Sequence, residues 1–346
     1  MFVACLIVTF GLGLSVYLLR RNRLGNVALL LFSLALCFTG LETYYRFFFA
    51  ESDGLGQLSR NFAARYYRYD QFGLRGSNLP PSDIETNLIF AGDSFVFGAG
   101  LKSINDRFSN KVAQHYPKLH VINLAFPGWD TKTETSEVTG FLGQSKAAIP
   151  LVVLTYFFND IEEDVTPADR ERLIPTVRAP KPSIADKVLQ ALSKKSRFIE
   201  LFYYRFGYPR LVRDRLEQIL SFYNDPEIME RHLATLEDFR STVSERYGAR
   251  LLVVVLPYLH SEQLLHDDVF YERFRKRLSE HGFEFIDMQP IFARHSVKKL
   301  QVNRFDPHTN VLANDLIAEA VIGHLSQHPE ELLPTENPKS QAPNPK

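Results

Sequence analysis

A serine, a glycine, an asparagine and an aspartate–histidine pair stand where nucleophilic ester chemistry would need them. Ser94 lies in Ala91-Gly92-Asp93-Ser94-Phe95, directly after an apolar run and ahead of Gly98 and Gly100. A serine at a turn beyond a strand is exposed for attack, and flanking glycines let the backbone approach a substrate. Gly-Asp-Ser alone is weak evidence, since such tripeptides occur in ordinary turns. Gly128, in Asn123-Leu124-Ala125-Phe126-Pro127-Gly128-Trp129, can present its N–H to an oxyanion; the competing reading is a simple turn glycine. Asn159, in Phe158-Asn159-Asp160, carries an amide able to donate to the same oxyanion. Asn-Asp also caps helices well. His308, in Arg304-Phe305-Asp306-Pro307-His308-Thr309-Asn310, is the natural general base, and Asp306 is placed to fix its tautomer and stabilise the imidazolium.

The elements that must position these residues follow from the hydrophobic pattern. Apolar runs at 87–91, 120–124, 151–157, 250–256 and 283–288 read as strands. Helical spacing is found at 106–116, 133–142, 227–247, 269–281 and 310–325. Continuous apolar strands alternating with helices predict a parallel sheet covered on both faces, an α/β three-layer α/β/α sandwich. Ligands bind such sheets beyond the carboxyl ends of the strands. Residues 92–94, 126–129 and 158–160 then share one edge, and the Asp306–His308 pair is expected in a loop before the last helix. An insertion at about 161–225, helical at 184–192 and 210–222, reads as a lid or a partner surface, and equally as a helical decoration packed on the domain. The tail at 331–346 is rich in Pro, Asn, Ser and Lys and is expected to be disordered.

The four segments, in this order, resemble the SGNH/GDSL hydrolase superfamily. The first block looks like Gly92-Asp93-Ser94 with Gly98 beyond, the second like 123–128, the third like Asn159-Asp160 and the last like 306–310. The resemblance implies a flavodoxin-like domain at about 50–330. It makes Ser94 the nucleophile, His308 the base and Asp306 its orienting partner. The oxyanion hole would be the N–H groups of Ser94 and Gly128 with the Asn159 side chain. Three positions depart from the pattern. Phe95 replaces the usual Leu, Asp306-Pro307-His308 is one residue shorter than Asp-x-x-His, and Thr309 replaces a Pro while Asn310 is kept. The shorter spacing resembles the branch linked to O-acetylation of envelope polysaccharides. A further stretch, Tyr69-Asp70-Gln71-Phe72-Gly73-Leu74-Arg75-Gly76, looks like one found ahead of the first block in envelope members, with no chemical role attached to it.

The N-terminus sets the location. Residues 2–19 and about 24–41 are apolar runs long enough to cross a hydrocarbon core. No positive charge precedes the first run, which argues against a cleaved signal peptide. Arg20, Arg21 and Arg23 between the runs predict a cytoplasmic turn, so a hairpin at 1–45 leaves the large domain on the periplasmic or extracellular side. Aromatic residues at 44–49 suit the membrane interface.

Composition excludes several classes. Forty basic and 40 acidic residues give zero formal charge, which gives nucleic acid no electrostatic foothold. Cys5 and Cys37 are the only cysteines, so neither a disulfide framework nor a cysteine metal site is available beyond them. No cofactor and no metal are expected, and residues 92–100 lack the Lys of a phosphate-binding loop. The expected partners are the lipid bilayer and an acyl ester, acetyl by preference, of an envelope carbohydrate or lipid. The leading reading is a membrane-tethered serine esterase. Its alternatives are an O-acyltransferase using the same site, and a non-catalytic scaffold or glycan-binding module with the same fold.

Overall fold

The computed structural model describes residues 1–19, 21, 23–54, 59–71, 73–76, 86–144, 148–173, 184–206 and 208–333. Arg20 of the predicted cytoplasmic turn, Phe72, Pro80, Pro81 and the tail 334–346 lie outside them. Contacts divide the chain into two units: Met1–Arg65 with Ala179–Asp214, and Tyr66–Arg178 with Arg215–Lys346.

The first unit is built on a helical hairpin, α1 (Phe2–Leu19) and α2 (Arg23–Thr43). Both are long and apolar enough to cross a membrane, and almost all of their apolar surface faces outward. Two polar side chains, Thr9 and Thr39, are buried where the helices meet. Thr9 Oγ1 lies 2.8 Å from Thr39 Oγ1 and also donates to the Cys5 carbonyl, so neither hydroxyl is stranded among aliphatic groups. At its end α2 passes into a π-helical turn, Tyr44–Phe48. The helices Ile184–Ser193 and Arg197–Phe206 of the insertion belong to this unit. There Ser196 and Phe198 hydrogen-bond to Glu42 at the end of α2.

The second unit is an α/β/α sandwich. Five strands, β1 (Thr86–Gly92), β2 (His120–Ala125), β3 (Ala148–Phe157), β4 (Arg250–Leu256) and β5 (Glu284–Asp287), form a parallel sheet in the order β2-β1-β3-β4-β5. This is the flavodoxin-like order, whose switch point lies between β1 and β3. β1 to β4 are apolar along nearly their whole length because both faces are covered. Helices Thr131–Gln144 and Pro226–Tyr247 cover one face; Phe108–His115 and Val311–Gln327 cover the other. The helix Pro226–Tyr247 has clear signals at each end. Asp225 accepts from the N–H groups of Glu227 and Ile228, Pro226 opens it, and Gly248 closes it in the left-handed conformation. A separate antiparallel hairpin, β6 (Gln301–Asn303) and β7 (Asp306–Thr309), precedes the last helix.

Candidate active site

Strand register sets the site's floor. Gly92 is level with Ala125 on one side and Thr155 on the other, so β1, β2 and β3 end at one edge. Ser94 lies two residues beyond β1, Gly128 three beyond β2 and Asn159 two beyond β3. Ser94 opens a four-residue helix, Ser94–Phe97. Asp93 caps it, accepting from the Phe95 N–H at 2.9 Å, and Gly98 ends it at φ 76°. A turn this short is stable only with outside support, because one turn of helix does not repay its own ordering.

That support comes from two buried arginines. Arg75 donates to the carbonyls of Gly98 (2.5 Å) and Leu101 (2.7 Å), and its guanidinium lies 4.1 Å from the Tyr67 ring centre. Tyr67 Oη in turn accepts from the Gly100 N–H at 2.9 Å. Arg107 donates to the carbonyls of Arg75 and Gly76 and to Asn110. Burial, with the nearby Arg75 charge, pushes the Arg107 guanidinium down to about 9. The stretch at 69–76, to which the sequence attached no role, thus contributes a clamp on the Ser94 loop. Asn123 closes the other side through Val96 O and Ser109 Oγ.

The base arrives from β7 rather than from the expected loop. Residues i and i+2 of a strand point to the same side. On β7 this brings Asp306 and His308 onto one face, so the two-residue spacing suffices. Asp306 Oδ1 lies 2.5 Å from His308 Nδ1 and also accepts the His308 N–H at 3.1 Å. His308 Nε2 is 2.8 Å from Ser94 Oγ. Asn303 holds the hairpin turn by accepting from the N–H groups of Phe305 and Asp306. Asn310 caps the last helix through Ala313 N and ties it back to the carbonyls of Lys299 and Gln301. Phe95, the departure from the usual Leu, braces the imidazole, with ring centres 5.1 Å apart, and leans on Phe157. Asp306 is fully buried, His308 nearly so, and Ser94 is half-buried. Burial alone would lower the His308 pKa, but the charge and hydrogen bond of Asp306 outweigh it and hold it above the ordinary value.

At the second and third edge positions, Gly128 has φ 89° with open space on its Cα, and Asn159 starts a 3₁₀ turn. Phe126, 41% exposed, and Trp129 flank Gly128. The sequence reading missed His260, which follows β4. Burial pushes its imidazole down to about 4, helped by the charge of nearby His308, so it is neutral at ordinary pH. Only its place beyond a strand end could have flagged it.

A layer of buried acids lies beside the serine turn. Asp93, Glu134 and Asp160 are each at most 4% exposed. Burial pushes Asp93 up to about 6 against the opposing pull of the Phe95 N–H and the His308 charge, whereas burial reinforced by acidic neighbours raises Glu134 and Asp160 well above the carboxylate range. Two other groups, Glu163–Asp164–His232 and Glu284–His324–His328, bring ligand-type atoms within 4.8 Å of one another, and neither includes a residue of the Ser94–His308–Asp306 array.

No known family profile and no curated protein matches the chain. Among solved structures it is similar to the lipase/acylhydrolase from Enterococcus faecalis, at 9% identity, covering 70% of this chain and 96% of that one with a TM-score of 0.39. A member of the lipolytic protein G-D-S-L family from Veillonella parvula aligns at 10% identity over 70% and 98% of the two chains, TM-score 0.39. An acetylxylan esterase from Geobacillus stearothermophilus aligns at 15% over 71% and 94%, TM-score 0.38. At such scores the functional reading rests on the site itself: a flavodoxin-like α/β/α domain presenting a Ser–His–Asp array at its switch-point edge.

Proposed function

We propose that the chain is a serine ester hydrolase of SGNH/GDSL type, tethered to a membrane by its N-terminal hairpin and acting on an acyl ester, acetyl by preference, of an envelope carbohydrate or lipid. The observation that carries it is the unbroken chain Ser94 Oγ–His308–Asp306, at 2.8 Å and 2.5 Å. His308 takes the Ser94 proton as Oγ attacks the ester carbonyl, and Asp306 stabilises the imidazolium. The carbonyl oxygen becomes an oxyanion, held by the N–H groups of Ser94 and Gly128 and the Asn159 amide. Collapse expels the alcohol, which takes its proton from His308 and leaves an acyl group on Ser94. Water, deprotonated by His308, then releases the acid. The arginines Arg20, Arg21 and Arg23 between the two apolar runs favour a cytoplasmic turn, and with it a catalytic domain on the periplasmic or extracellular side.

Transfer to a sugar hydroxyl is the second reading. It is favoured by the exposed Phe126 beside Gly128, an apolar shelf suited to the flat face of a sugar ring. A fluorophosphonate probe tests the nucleophile: full-length protein is expected to label, and Ser94→Ala is not. Equal labelling of the two, or none of either, overturns the reading in favour of a non-catalytic fold. Incubation with an acyl donor and a glycan acceptor then separates the two activities by the ratio of acyl-glycan to free acid.

A further inference from the structure

The insertion's first helix, Ile184–Ser193, turns its hydrophobic side outward. Ile184, Val188 and Leu192 recur every four residues and are 82%, 53% and 39% exposed. At roughly 100° per residue they fill an arc of about 80°. The less exposed side chains, Leu189 and Ser193, lie roughly 60° and 100° beyond that arc, and Arg197–Phe206 packs against this helix. A helix of a water-soluble domain does the reverse and points its apolar stripe at a core.

The chain just beyond this helix is fastened to the end of α2. Glu42 is fully buried there and accepts from Ser196 Oγ (2.7 Å), from the Phe198 N–H (3.0 Å) and from Arg46. Arg46 also donates to the Lys195 carbonyl at 3.1 Å. The Phe198 ring sits between those of Phe38 and Tyr45. The C-terminal end of Ile184–Ser193 is thereby held where α2 gives way to its aromatic turn, the level at which a spanning helix leaves the hydrocarbon. Lys187, Lys194 and Lys195 outnumber Asp186 along this stretch.

We propose that Ile184–Ser193 is an in-plane membrane helix, with Ile184, Val188 and Leu192 in the acyl layer and Lys187, with Lys194 and Lys195 just beyond the helix, at the phosphates of anionic lipid. The proposal rests on the reading of α1 and α2 as a membrane hairpin. The apolar stripe is exposed, as is the apolar surface of that hairpin, and the lysines complement an anionic headgroup layer, as in interfacial helices generally. The insertion then serves as a second foothold rather than as a lid.

The test uses full-length protein with Cys5→Ala and Cys37→Ala and one new cysteine at a time: Ile184→Cys, Val188→Cys or Leu192→Cys on the stripe, Asp186→Cys or Gln190→Cys off it, and Leu30→Cys in α2. Each is labelled with an environment-sensitive fluorophore and reconstituted in vesicles of about three parts phosphatidylcholine to one part phosphatidylglycerol. Lipid spin-labelled near the headgroup is expected to quench the stripe positions at least about twofold more than positions 186 and 190, with iodide in the water showing the opposite order. Stripe positions indistinguishable from 186 and 190, with Leu30→Cys inside the lipid, overturn the proposal and leave the hairpin standing. A Leu30→Cys probe quenched from water overturns the hairpin and the proposal together.

Discussion

Replacing Asp306 by Asn removes one charge from the array and little of its shape. The Asn oxygen still accepts the His308 N–H that Asp306 now holds at 3.1 Å, so the hairpin is expected to fold. What is lost is a carboxylate against an imidazolium in a fully buried position. With charge centres about 4 Å apart and an effective dielectric constant of about 20, the pair is worth about 4 kcal/mol. At about 1.4 kcal/mol per decade this is a loss of about 10³ in kcat/KM. The pH profile must move as well. In the native site the net shift raises His308 above its ordinary value, so activity, which needs the neutral imidazole, rises through a midpoint above about 6.5. Without Asp306, burial is opposed far less and that midpoint falls. Hydrolysis of an aryl acetate by full-length protein between about pH 5 and 9 reads both quantities. A loss under about tenfold together with an unmoved acid limb would refute the assignment of Asp306 and leave a Ser94–His308 pair acting alone.

Three further outcomes follow from the site. Arg75→Lys cannot reproduce the fork onto Gly98 and Leu101 or its stacking on Tyr67, and is expected to cost about 3 kcal/mol, about 10 °C in Tm, with activity falling further than stability; an unchanged Tm would show that the clamp carries nothing. Gly100→Ala would strain a φ of 79° and set a Cβ 2.5 Å from Val302 Cγ2 and 2.8 Å from Asp306 Oδ2, for about 3 kcal/mol and a marked loss of kcat; an active, equally stable variant contradicts this. Glu134→Gln tests the acid layer. A buried carboxyl whose folded pKa is raised binds a proton on folding, so the wild type loses stability as pH rises above about 4.5, by up to about 1.4 kcal/mol per pH unit. Thermal unfolding at about pH 5 and 8 should show a shallower decline in the variant, whereas parallel declines mean that Glu134 folds ionised.

The sheet was legible because its strands are apolar throughout; the run at 250–256 agrees with β4 end for end. The short elements were not. β6 and β7 are three and four residues of mostly polar sequence, too brief for an alternation to stand out, yet they carry Asp306 and His308. The four-residue Ser94 helix was read as a turn for the same reason. Ser94, His308 and Asp306 are near one another because β7 folds back to the sheet edge, a long-range event with no local signature. Arg75 and Arg107 evade sequence reading altogether, since a buried guanidinium held by carbonyls runs against the rule that such charges stay at the surface. The insertion's attachment to Glu42 was hidden likewise, because a carboxylate at the end of an apolar helix reads as a stop signal rather than a docking point.

The clamp from Tyr67 and Arg75 has a consequence for proteolytic separation from the hairpin. A chain shortened to begin at Thr86 keeps every strand of the sheet and all of the Ser94–His308–Asp306 array, but loses the groups that hold the carbonyls of Gly98 and Leu101 and the N–H of Gly100. Cleavage before Tyr66 would leave an active fragment, and cleavage after Gly76 would leave a silent one. The hairpin and the clamp are consecutive stretches of one polypeptide, so the position of a single cut decides whether separation from the hairpin also extinguishes the enzyme.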